Sequence, residues 1–124
     1  KKDKPCSHSS CSFNGIYQPS IPKTFSGPVY AFSYFYDRME PFLKEDGISS
    51  VKELREVGTK ICSSAEGVYA EHNKGTMCMD FAFLYGLMSH GYELPDSTPL
   101  YIKKKIKGIE TAWALGAMLV AMEN

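Results

Sequence analysis

The sequence predicts a small mixed α/β unit stapled by disulfides, and three observations point there. Val29 to Tyr36 is an uncharged apolar and aromatic run of the kind that fills a strand buried on both faces. Val51 to Ser63 and Met77 to His90 carry apolar residues at helical spacing. Four cysteines, an even number, stand in a chain of only 124 residues. The composition supports a packed unit: hydrophobic residues make up 44% and charged residues 23%. That balance excludes disorder, collagen and coiled coil. Fourteen basic residues match fourteen acidic ones, so no cationic excess is available to neutralise a nucleic acid. No apolar stretch approaches the roughly 18 to 20 residues that span a bilayer; the longest, Ala112 to Met122, is too short.

Residues 1–28 are rich in Ser, Pro, Gly and Lys and predict an irregular segment. Its polar start, Lys1 to Pro5, has neither an initiating Met nor the apolar core of a signal peptide. It reads as the beginning of a processed or excised piece. Asn14-Gly15 is a turn signal that Cys11 would pin. The strand over 29–36 ends abruptly at Asp37-Arg38. Ser49-Ser50 offers an N-cap to a helix from Val51 to Ser63, with Val51, Leu54, Val57 and Ile61 on one face. A polar loop from Ala65 to Lys74 follows. The next helix, Met77 to His90, is apolar nearly all round, predicts deep burial, and stops at Gly91. Leu100 to Lys107, with three consecutive lysines, predicts an edge strand or ribbon. Glu110 to Met122 predicts a last helix without a polar face, which needs partners on several sides.

The cysteines allow three disulfide pairings or a four-ligand metal site. Structural zinc wants two close pairs; Cys6 and Cys11 enclose four residues, but fifteen lie between Cys62 and Cys78. The most local pairing, Cys6–Cys11 with Cys62–Cys78, is the expectation, and with it an oxidising, secreted or lumenal setting.

The residues alone show no catalytic machinery. His8, His72 and His90 are scattered, and no nucleophile elbow, Walker A loop or dinucleotide fingerprint occurs. Asp80, one turn into an apolar helix, would be costly unpaired, and a capping or dipole contact is the simplest expectation. Asp37 and Arg38 fall where open α/β sheets place ligands, or else form a surface ion pair.

Three segments carry a resemblance: Cys11 to Pro19, Tyr30 to Arg38 (YAFSYFYDR), and Ile109 to Ala117 (IETAWALGA). With Cys78-Met79-Asp80 between them, they resemble the C-terminal part of the apyrase family, the nucleoside di- and triphosphate diphosphohydrolases. FSYFYDR and IETAWALGA look closest to the lumenal branch that hydrolyses UDP and GDP. The resemblance implies an actin-like, ribonuclease-H-like fold of two lobes with nucleotide and metal in the cleft. Residues 29–107 would then belong to the second lobe, and 108–124 would pack on the first. It also implies that the phosphate loops, the catalytic carboxylate and the site for Ca2+ or Mg2+ lie upstream of this segment. What remains here is the nucleobase side: Tyr36, Asp37 and Arg38 after the strand, Asn73 and Met77 on the opposing wall, and Trp113 between the lobes. The implied reaction is attack of metal-activated water on a nucleoside diphosphate in the endoplasmic reticulum or Golgi lumen, or outside the cell. The implied partners are that nucleotide and the N-terminal lobe of the same enzyme, with no membrane contact from this segment. The alternative is a non-catalytic, disulfide-stabilised module that binds nucleotide or protein.

Overall fold

A computed structural model describes residues 4–63, 74–110, 118 and 120–122. The chain opens with a small hairpin. Asn14 and Gly15 both adopt left-handed φ, 64° and 76°, which suits Asn-Gly, and Cys11 bridges to Tyr17 across the turn. The Cys6–Cys11 disulfide closes its base. A one-turn helix, α1 (Ile21–Thr24), has Pro22 in its first turn, where a missing N–H costs nothing.

Strand β1 spans only Val29–Ala31, which corrects the long strand expected over 29–36. Ser33 turns the chain with φ 55°, and Tyr34–Met39 form a helix, α2. The physical reason lies in i, i+4 pairing. Coiling brings the Tyr36 hydroxyl within 2.8 Å of Glu40 Oε1 and sets Arg38 over the Tyr34 ring, 4.9 Å from its centroid. The run is not buried on both faces either, since Tyr30, Phe32 and Tyr34 are exposed.

Strand β2 (Ile48–Ser50) leads straight into α3 (Val51–Ser63). Ser50 Oγ accepts the Glu53 N–H at 3.1 Å, while Glu53 Oε2 accepts a hydrogen bond from Ser49 Oγ at 2.9 Å. This is a capping-box arrangement spread over two serines. Val51, Leu54 and Ile61 face inward, as their spacing predicts. Helix α4 (Lys74–Gly86) starts earlier than expected and continues as a π-helical turn, Leu87–Gly91. Gly91 does not supply the left-handed stop; Glu93 does, at φ 58°. Gly91 is instead a close approach, because a Cβ there would meet Phe13 Cζ at 2.4 Å. The Cys62–Cys78 disulfide ties α3 to α4, also as expected.

Strand β3 (Pro99–Ile102) is central rather than an edge: the order is β1-β3-β2, with β1 parallel and β2 antiparallel to it. Leu100 and Ile102 account for this, since both are buried to within 1%. The lysines fall after the strand, at its turn into a ribbon of β4 (Lys105–Ile106) and β5 (Ile109–Glu110). Glu110 is therefore extended and does not begin the last helix. Of that helix the structure describes Met118 and residues 120–122, which are helical and exposed.

One face of the sheet packs into a single core, where Ala31, Leu100 and Ile102 meet Met39, Leu54 and Phe81. The opposite face displays a cross-strand row, Tyr30, Tyr101 and Ile48 in register, with the two tyrosine rings 5.4 Å apart. The α/β class is as predicted, with two helices and α2 arranged about a short mixed sheet.

Candidate functional site

The parallel pair β1 and β3 fixes where a site can form. Ala31 and Ile102 are partners in register, and the Lys103 N–H reaches the Ala31 carbonyl at 3.0 Å. The segments that leave these two strands, α2 and Lys103–Lys104, therefore start side by side. This is the carboxyl end of the parallel strands, the position at which open α/β sheets bind ligands.

Several polar and charged groups meet there. The Tyr36 hydroxyl donates to Glu40, and the Lys104 ammonium stands 6.0 Å from the centre of the Tyr36 ring. That hydrogen bond raises the Tyr36 pKa, with smaller contributions from burial and from the charges of Glu40 and Asp37. Asp37 is exposed on α2. Arg38 does not pair with Asp37. Its Nε lies 2.8 Å from Asp80 Oδ2 on α4, which corrects the capping contact expected of Asp80. Neither of these two buried atoms has a hydrogen-bond partner, so the contact is an ion pair by distance and not a linear hydrogen bond. A hydrogen bond to Tyr34 raises the Arg38 pKa against the lowering effect of burial, and the charge of Asp80 adds to it. Lys103 is committed elsewhere, donating to the Asp46 carbonyl.

Tyr36, Asp37 and Arg38 are thus brought to one end of the sheet, on a helix and not at a strand end. Met77 is a core residue, 4% exposed, so its side chain is not presented to a ligand. Asn73 and Trp113 lie outside the described residues. Sequence reasoning missed Tyr34, Lys104 and the Arg38–Asp80 pair. The spacing Tyr34/Arg38 and Tyr36/Glu40, each four residues, was the available signal for a helix.

Among the described residues, no group of three or more His, Cys, Asp or Glu side chains could hold a metal ion. The resemblance implies that the ligands of Ca2+ or Mg2+ lie upstream of this segment, so these residues neither support nor oppose that ion. A concavity of about 570 Å³ lies between α1, β1 and the π-helical turn. It is lined by Phe25, Val29, Phe35, Leu87 and other uncharged side chains, which gives it nothing to hold a diphosphate. No helix among the described residues is long and apolar enough to cross a membrane.

The chain matches the GDA1/CD39 (nucleoside phosphatase) family along residues 1–124. It is 38% identical to the probable guanosine-diphosphatase of Aspergillus fumigatus over 95% of the chain and 25% of that relative. The guanosine-diphosphatase of Saccharomyces cerevisiae is 35% identical over 95% of the chain and 25% of its own length. The human nucleoside diphosphate phosphatase ENTPD5 is 35% identical over 88% of the chain and 26% of its own length. The chain spans about a quarter of the curated relatives it matches.

Proposed function

The chain belongs to the GDA1/CD39 (nucleoside phosphatase) family, and from that premise we propose that it is the C-terminal part of a nucleoside diphosphatase. The full-length enzyme would add water to the terminal phosphorus of GDP or UDP. The bond to the bridging oxygen breaks, and nucleoside monophosphate and phosphate leave. Residues outside this segment would supply the base and any metal. One observation carries the reading: guanosine-diphosphatases match along nearly the whole chain.

Within that enzyme this segment supplies the nucleobase side. Arg38 is the principal contact, with Tyr36 and Asp37 beside it on α2, while Asn73 would face them and Trp113 would join the lobes. What supports this role is chemical. A guanidinium donates hydrogen bonds and never accepts them, so it suits the O6 and N7 acceptors of guanine or O4 of uracil. It suits the amino groups of adenine and cytosine poorly. Two disulfides support a lumenal or extracellular setting.

The test is phosphate release by the full-length protein with Ca2+ or Mg2+. Release from GDP and UDP should outpace release from ADP, and GMP should yield none. No release from GDP or UDP with either ion would overturn the proposal. Binding of GDP without release would establish the non-catalytic module instead.

A further inference from the structure

Asp80 is a charged group that the proposed chemistry leaves unused, and it sits where charge is expensive. Its side chain is 8% exposed. A carboxylate at such a site persists only with a cationic partner. The partner, Arg38, comes from a different element, so the pair links α4 to α2 at the carboxyl end of the parallel strands.

The geometry of the contact is informative. Asp80 takes the side of the guanidinium at Nε; Nε has no hydrogen-bond partner, so the hydrogen bond to Tyr34 falls on a terminal nitrogen and leaves the other terminal N–H groups. The Tyr34 ring lies under the same group, 4.9 Å from Cζ. A planar group held at one edge and against one face has little freedom left in its direction. Arg38 remains 32% exposed although its Nε is buried, so the exposure comes from the other atoms of the side chain.

We propose that Asp80 is a positioning residue for base selection: it fixes Arg38 so that the terminal N–H groups not engaged by Tyr34 meet a carbonyl-bearing nucleobase. The inference rests on the reading above that Arg38 contacts the base. Asp80 itself touches no substrate. Tyr34 completes the mount from below, and the Cys62–Cys78 bridge, two residues before Asp80, holds the start of α4 to α3.

The experiment uses the full-length enzyme and steady-state hydrolysis of GDP, UDP and ADP by Asp80→Asn, Arg38→Ala and the double variant. Asp80→Asn should raise KM for GDP and UDP about tenfold, the order expected for misaligning one charged hydrogen bond. Its kcat should stay within about twofold, and ADP should be little affected, so the ranking of bases contracts. In the Arg38→Ala background, Asp80→Asn should add nothing to KM. If Arg38→Ala leaves the ranking untouched, the base-contact reading fails and this inference falls with it. If Arg38→Ala flattens the ranking but Asp80→Asn preserves it, only the positioning role is overturned. An equal loss for all three nucleotides, or an added loss in the double variant, also overturns it by showing a structural clamp. Should Asp80→Asn fail to fold, Asp80→Glu keeps the charge while displacing the carboxylate. A wild-type ranking in that variant refutes the proposal, and a contracted one supports it.

Discussion

Gly58 is a point of close approach between α3 and α4, and replacing it tests the packing that carries Asp80. A Cβ at Gly58 would stand 2.9 Å from Phe81 Cβ. Apolar carbons rest at about 3.5 to 4.0 Å, so the methyl is too near by roughly 0.6 to 1.1 Å. Phe81 has little room to retreat: it is 1% exposed and meets the Phe42 ring edge-on, 5.8 Å between centres. Two effects oppose each other in Gly58→Ala. Helix propensity favours alanine by about 1 kcal/mol, while overpacking costs about 1 to 3 kcal/mol. The expected net is a loss of about 1 kcal/mol. Gly86 is the control, in helical geometry with nothing within 4 Å of an added Cβ. Gly86→Ala should therefore stabilise by about 0.5 to 1 kcal/mol. Guanidinium unfolding midpoints of the two full-length, oxidised variants should move in opposite directions. A Gly58→Ala midpoint that rises alongside Gly86→Ala would refute the packing argument.

Other expectations follow from single interactions. Ser50→Ala removes the oxygen that accepts the Glu53 N–H and should cost about 1 kcal/mol, read as a lower unfolding midpoint with unchanged slope. Replacing Cys62 and Cys78 together by serine opens a loop of sequence separation 16. The loss should be about 3 kcal/mol, and reductant should then no longer lower the melting temperature through this bridge. The hydrogen bond to Glu40 raises the Tyr36 pKa in the folded state. Its contribution is therefore complete below the ordinary tyrosine value of about 10 and is lost as pH rises through the folded value. Tyr36→Phe should flatten that alkaline limb of stability; an unchanged limb would show that the bond contributes nothing.

The parts legible in the sequence are those decided locally. Helix α3 was readable to its ends because Ser50 caps it and Val51, Leu54 and Ile61 mark one face. The Asn14-Gly15 turn needed only its own two residues, and both disulfides follow from the shortest pairings. The parts missed depend on distant partners. The aromatic content of residues 29–36 favours a strand, yet short-range pairing with Glu40 and an ion pair to Asp80 favour the helix after Ser33. Tertiary context overrides β-propensity readily. The lysines after Ile102 suggested an edge, but strand order depends on which strands pair with β3, and no residue of β3 states that. The placement of Asp37 and Arg38 after the first strand was nonetheless foreseen. Their geometry was not, because Arg38 takes its partner from α4.

Photolabelling of the full-length protein with 8-azido-GDP, followed by mapping of the labelled peptides with and without competing GDP, tests the base-contact role of α2 most directly. Competable label is expected on the peptide containing Tyr34 to Arg38. Competable label confined to peptides outside these 124 residues would contradict it.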